Sequence, residues 1–248
     1  MTTTEIPGSA PAPAAPKPSS FQRIIGVLFS PNETFASIAK QPDWVVPLAI
    51  ILVLSLVAGI IFAQRIDFAG GMRDAMEQRG GASPDQIDRG VRVGAAIAKI
   101  FSYCAPAVSL VILLIMAGIL LLAFRVMGGE GDFRQAFSVT CYAWMVEVIK
   151  SCLVTIIILV RNVSMTELPT VLRSNLAFLV PMKDNPLLFA LLSKIDIFTI
   201  WFLILLIIGF AFVSRFSKAK SAAVVISLWI VWSLLTLIGP AFQTLNKK

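Results

Sequence analysis

The sequence contains no histidine. That removes the side chain most often used as a general base near neutral pH, and with it the commonest zinc ligand. Cysteine is scarce: Cys104, Cys141 and Cys152 all fall inside apolar runs, and no two form a C-x-x-C pair. A disulfide framework or metal site is not expected, and the three thiols are read as buried, inert packing groups. Charge is scarce as well. Charged residues make up 14% of the 248, where a soluble domain carries about 25%. The net charge of +7 is spread through connecting segments and suits loops facing anionic headgroups. No basic stripe is interleaved with exposed aromatics, so nucleic acid is not an expected partner. No Walker loop, H-E-x-x-H or G-x-S-x-G occurs, and no spacing singles out a Ser–Lys dyad. The chain is therefore read as a non-enzyme with no cofactor.

What the sequence has in abundance is apolar length. Hydrophobic residues make up 57%, more than one core of this size could hide. They gather into five runs, each close to the roughly 20 residues that a helix needs to cross hydrocarbon. The runs are 44–64, 101–124, 136–160, 197–213 and 222–238, with Trp44, Arg65, Arg125, Arg161, Arg215 and Lys220 at their edges as interface anchors. The expected fold is all-α, a polytopic membrane helix bundle with about five transmembrane helices plus short interfacial helices. Pro106 predicts a kink near the start of the second run.

Residues 1–20 are dominated by Pro, Ala, Ser and Thr, which predicts a disordered tail without the apolar stretch of a signal peptide. Residues 21–43 are expected to form interfacial amphipathic helices. Phe21, Ile24, Ile25, Leu28 and Phe29 recur at helical spacing, and Ser30-Pro31-Asn32-Glu33 resembles a helix start with a capping box. These helices can either lie on the membrane or pack against the bundle. Residues 44–242 then form the five-span membrane domain, and 243–248 a short basic tail. Ser83-Pro84-Asp85-Gln86 predicts a further helix start feeding the second span. Leu187, Leu188, Leu191, Leu192 and Ile195 predict a helical approach to the fourth.

Five spans put the two ends on opposite sides. Cations outside the spans number eight on the amino-terminal side and twelve on the other, which would place the amino terminus outside. The two short loops, however, carry Arg125, Arg134, Arg215, Lys218 and Lys220. The positive-inside rule weighs short loops most, so a cytoplasmic amino terminus is the expectation.

The stretch PNETFASIAKQPDWVVPL at 31–48 precedes the first span, and GGEGDFRQAFSVTCYAW at 128–144 leads into the third. The stretch at 194–232, KIDIFTIWFLILLIIGFAFVSRFSKAKSAAVVISLWIVW, carries the last two. In order and spacing these resemble the bacterial branch of the Yip-one domain family, the Ypt/Rab-interacting membrane proteins, over roughly residues 21–240. The positions carrying the resemblance are Pro31, Phe35, Gly128, Gly129, Phe133, Asp196, Trp201 and Gly209. It implies a five-helix membrane domain in the plasma (inner) membrane, with its amino terminus cytoplasmic and a scaffold or interaction role. Its partners would be the lipid bilayer and other membrane proteins or a second copy of itself. Eukaryotic relatives bind prenylated Rab GTPases. The D-L-x-G-P segment that they carry before the membrane domain is absent here, so the resemblance implies architecture more than GTPase binding.

Among polar residues, Glu147 and Lys150 stand out. They lie three apart near the middle of the third run, on one helix face. Each charge at mid-membrane costs about 2.5–3.5 kcal/mol, so the pair needs partners in the bundle. Two readings follow: an internal ion pair that fixes packing, or an ion, proton or substrate path in a small transporter or channel subunit. Gly129-Glu130-Gly131-Asp132 spells the G-x-G-D of intramembrane aspartyl proteases, but a turn is the expected role. Asp196 is the only second aspartate at a span, and it is expected to cap the fourth helix. Ser55-x-x-x-Gly59 is expected to be a small-residue packing face, as is Gly209. Gly90-x-x-x-Gly94 contains Arg92, lies outside the spans and is expected to matter less.

Overall fold

The computed structural model describes residues 19–182 and 184–245, apart from the side chains of residues 78, 79 and 243–245. Residues 1–18 of the tail expected at 1–20, Lys183 and the final residues 246–248 lie outside the described residues, while Ser19 and Ser20 cap and begin a helix. Among the described residues the architecture is α-helical, without a β-strand. In chain order the helices are α1 (Ser20–Phe29), α2 (Pro31–Lys40), α3 (Val45–Arg65), α4 (Phe68–Arg79), α5 (Pro84–Tyr103) and α6 (Ala105–Val126). They continue as α7 (Phe133–Ala143), α8 (Met145–Val160), α9 (Pro186–Ser193), α10 (Ile197–Ser214) and α11 (Lys218–Leu245). Five stretches are long and apolar enough to cross a membrane: α3, α6, α7 with α8, α10, and α11. Among the described residues the only β pairing is an isolated bridge between Asn175 and Asp196.

Caps explain where several helices begin. Ser19 and Gln22 form a reciprocal capping box for α1, Ser83 and Gln86 for α5, and Asp132 and Gln135 for α7. Each pair satisfies two otherwise unpaired backbone donors. The Asp132 box starts the third span at Phe133, three residues before its apolar run. Ser30 departs from expectation and makes no side-chain cap for α2. It is the C-cap of α1, where its N–H donates to Gly26 O at 2.7 Å. Its carbonyl accepts from the Thr34 hydroxyl at 2.9 Å.

The short helices are partly built into the bundle. On α2, Phe35 and Ile38 are fully buried. They pack in a core shared with Val139 and Tyr142 of α7, Leu205 and Phe210 of α10, and Phe124 of α6. On α1, Val27 joins this core with Ile24 and Leu28 against it, while Phe21, Ile25 and Phe29 stay exposed. The amphipathic stripe is thus divided between the bundle and the surroundings. A second cluster joins α3, α6 and α7 through Ile51, Leu113 and Phe137. A third, around Ile66, Ile158 and Val163, closes the opposite end. The most enclosed span is α10, with 39% of its apolar window buried against 17% for α3 and for α11. That makes α10 the axis of the bundle. Outward residues such as Val53, Ile115, Leu122, Ile156 and Leu234 are apolar, as lipid contact requires.

Small residues set the closest approaches. Pro106 has no N–H to give the Ser102 carbonyl four residues back, so the α5–α6 rod breaks at Cys104. Gly59 of α3 packs onto that carbonyl so closely that a Cβ would overlap it. Cys104 is exposed at this break, while Cys141 is buried; the proline bend turns the Cys104 thiol outward, against the expectation of burial. Gly90 and Gly94 of α5 receive Met76 and Met72 of α4, so the G-x-x-x-G outside the spans packs a helical hairpin. Arg73 and Asp88 pair across it at 2.6 Å.

Candidate functional site

The third span places Glu147 at the middle of Phe133–Val160, with Lys150 one turn further along. Lys150 pairs with Asp196 and not with Glu147: its Nζ lies 3.1 Å from Asp196 Oδ2. Asp196 is 1% exposed and well satisfied. Its Oδ2 also accepts from the Ser174 hydroxyl at 2.6 Å. Its Oδ1 accepts from the N–H groups of Phe198 and Thr199 at 2.8 and 3.3 Å, which makes it the N-cap of α10, as its sequence position suggests. Burial pushes this carboxyl up, but the Ser174 and Lys150 hydrogen bonds, the Lys150 charge and the Thr199 N–H outweigh it and hold it below the usual aspartate range. Lys150 also sits over the Phe198 ring, 6.0 Å from its centroid.

The segment between the third and fourth spans builds this contact. Leu176 N–H donates to Ile195 O at 3.3 Å and Ile197 N–H to Ser174 O at 3.1 Å. These bonds lay Ser174 beside Asp196. Arg173, just before Ser174, has a φ of 50°, an uncommon conformation for a residue with a side chain. Asn175 fixes the local fold: its amide donates to Pro169 O at 2.8 Å and its oxygen accepts from Ala177 N–H at 3.0 Å. Lys150, Asp196 and Ser174 therefore form a closed knot joining α8, α10 and the 161–196 connection.

Glu147 faces a different space. It lines a partly open pocket of about 250 Å³ between α3, α6 and α8, with Ser151 exposed at its rim. Ser55, Ser109 and Ser151 contribute hydroxyls, Trp144 an indole, and Ile51 and Val148 part of the apolar wall. Such a volume holds several waters, since one occupies about 30 Å³ in the liquid. No cluster of three or more His, Cys, Asp or Glu side chains able to hold a metal occurs among the described residues.

Most of the other resemblance-bearing residues lie toward the amino-terminal face and its loops. Pro31 is the first residue of α2. Gly209 lets α10 meet Val139 and the ring of Phe35. Trp201 packs on the same core. Gly128 has a φ of 83°, a left-handed turn after α6 that suits glycine. Gly129 is pressed between Phe124 O and Ser214. Phe133 stacks on Phe137 at 5.8 Å. The domain model that matches this sequence is the Yip1 domain, over residues 25–239. The chain belongs to the Yip1 domain family. Comparison with curated proteins gives no match, and comparison with solved structures gives none.

In this Yip1-domain protein Asp132 caps α7, its carboxylate accepting from Gln135 N–H at 2.7 Å. Asp132 lies by the Ser214 end of α10, and Asp196 caps the other end. An 18-residue helix separates those ends by about 27 Å, so the two aspartates cannot share a proton. Arg23, one of the eight cations counted outside the spans on the amino-terminal side, is 5% exposed. It donates to Gln41 O at 2.9 Å and to the Ser37 hydroxyl at 3.1 Å. The position of Arg23 between Phe21 and Ile24, inside the amphipathic stripe, was the available signal.

Proposed function

We propose that this Yip1-domain protein is a non-enzymatic scaffold in the bacterial plasma membrane, presenting a fixed cytoplasmic platform to other membrane proteins. One observation carries the reading: the short loops of the amino-terminal face are fastened to each other and to α2. Arg215 Nε pairs with Glu130 Oε2 at 3.1 Å, and Glu130 N–H donates to Ser214 O at 3.2 Å. The Lys220 ammonium donates to Met127 O at 3.1 Å, and Gln135 Nε2 to Ala39 O at 2.7 Å. Arg125 donates to Gly131 O at 2.6 Å. Individually such exposed ion pairs contribute little; together they define a shape. Arg134 and Lys218 remain exposed on that face as contacts for a partner.

Photo-crosslinkable residues at 134 and 218 in native membranes test this reading. Discrete protein adducts are expected, and they should vanish in Gly131→Val, which strains a φ of 107° and drives a side chain into Val213. No discrete adduct from either site would refute a platform. Orientation is tested by Lys218→Cys in a background lacking the three native cysteines; labelling by an impermeant reagent on intact cells would place this face outside.

A second reading, a small transporter or channel subunit, is favoured by the cavity at Glu147. Ion flux through proteoliposomes that disappears in Glu147→Gln would establish it.

A further inference from the structure

Glu147, Lys150 and Asp196 are charged side chains gathered where α8 meets the start of α10, and Lys150 and Asp196 both lie within electrostatic reach of Glu147. Two carboxylates and one ammonium sum to −1. The ammonium is committed to Asp196 at 3.1 Å. Glu147 is thus the uncompensated charge, in a region where ionisable groups are normally paired. The space beside it is lined by oxygen ligands. Ser55, Ser109 and Ser151 bring hydroxyls from three different helices. The Ser55 hydroxyl donates to Leu52 O at 3.0 Å, which leaves its lone pairs free to accept or coordinate.

We infer that the cavity at Glu147 is a binding site for one alkali-metal cation, held by the Glu147 carboxylate with the hydroxyls of Ser55, Ser109 and Ser151. An all-oxygen set without thiol or imidazole selects a hard cation. One carboxylate supplies one negative charge, which matches a monovalent ion; divalent sites of this type draw on several carboxylates. The volume of about 250 Å³ leaves room for water to complete the coordination shell. The bound ion brings the summed charge of Glu147, Lys150 and Asp196 to zero and ties α3, α6 and α8 together. The inference rests on neither functional reading, because an ion can be structural in a scaffold or cargo in a transporter.

The test is thermal unfolding of the purified full chain in lipid nanodiscs at constant ionic strength and pH. Lithium, sodium and potassium chlorides are compared with the chloride of N-methyl-D-glucamine, an organic cation that is not a bare ion for oxygen ligands to coordinate. One alkali ion should raise the transition temperature saturably, shifting the folding equilibrium about a hundredfold at 100 times its Kd. Glu147→Gln should abolish the shift. The triple variant Ser55→Ala, Ser109→Ala and Ser151→Ala keeps the carboxylate and should need a higher ion concentration for the same shift. Direct binding of radioactive sodium or potassium to the wild-type chain gives an answer even where Glu147→Gln does not fold. Identical unfolding in all four salts, with no ion bound, would mean that a proton neutralises Glu147 and would overturn the inference. A shift that persists in Glu147→Gln would place the ion elsewhere and overturn it too.

Discussion

Removing both partners of the Lys150–Asp196 pair should cost about as much as removing either one alone. Lys150→Met leaves an Asp196 carboxylate that is 1% exposed, supported only by Ser174 and two backbone N–H groups. Asp196→Asn keeps an oxygen for those N–H groups but strands the Lys150 ammonium. Breaking a buried pair from one side costs about 3–5 kcal/mol. The Lys150 side chain is 27% exposed, so about 3 kcal/mol is expected for each single variant, at the lower end of that range. The double variant leaves no lone charge and should also lose about 3 kcal/mol rather than 6, a coupling of roughly 2–3 kcal/mol. Equilibrium unfolding in mixed detergent micelles, followed by helical circular dichroism, measures all four species. The same cycle on Glu147 and Lys150 should give a coupling below about 1 kcal/mol, because Lys150 is directed to Asp196. Additive losses for Lys150 and Asp196, within about 0.5 kcal/mol, would refute the pairing. A larger coupling for Glu147 than for Asp196 would show that sequence neighbours pair after all.

Because the Asp196 carboxyl is held below its usual range, its contribution should be complete above an ordinary aspartate pKa of about 3.9 and fade as the pH falls through its lower folded value; an acid limb that survives Asp196→Asn would assign it elsewhere. Gly209→Ala should destabilise by about 1–3 kcal/mol by meeting Val139, and Val139→Ala should restore much of the loss. Gly59→Ala should destabilise without any such rescue, since its obstacle is the Ser102 backbone carbonyl; rescue by Ala105→Gly would show that the side chain, not the carbonyl, is the obstacle. Spin labels at 21, 25 and 29 should report burial at the bilayer surface, as their exposed apolar side chains imply; free water access at all three would refute membrane contact by α1.

The spans were legible because their signal is length and composition alone. Their ends were less so: Phe133 begins the third span through the Asp132–Gln135 box, while apolarity begins at Ala136. The spacing of Glu147 and Lys150 correctly put both on α8, but a three-residue spacing reports only local neighbourhood. Asp196 is 46 residues from Lys150 and is delivered by the 161–196 connection, whose leucine stripe predicts a helix but not the contact of Ser174 with Asp196. Gly90 and Gly94 were visible as a motif, yet their partners Met72 and Met76 lie on a helix, α4, that the apolar pattern did not reveal. The Glu147 cavity was illegible in principle, since its three serines come from α3, α6 and α8 and share no sequence register.

Asp196 is where the architecture and the polar site meet. Most of the resemblance-bearing positions pack α2, α7 and α10 or shape the loops of the amino-terminal face, and none of those is Glu147, Lys150 or Ser174. Asp196 alone belongs to both sets. Capping α10 does not require a carboxylate, because serine, threonine or asparagine serves a helix N-terminus about as well. What requires the negative charge is Lys150, and the second oxygen, Oδ2, is given entirely to Lys150 and Ser174. The two roles are therefore separable within one side chain. In a Lys150→Met background the charge is no longer needed, so Asp196→Asn should be well tolerated. Asp196→Ala in the same background should still lose the cap, about 1 kcal/mol. Equal stability of Asn and Ala there would mean that Oδ1 does not hold the start of α10, and that Asp196 is present for Lys150 alone.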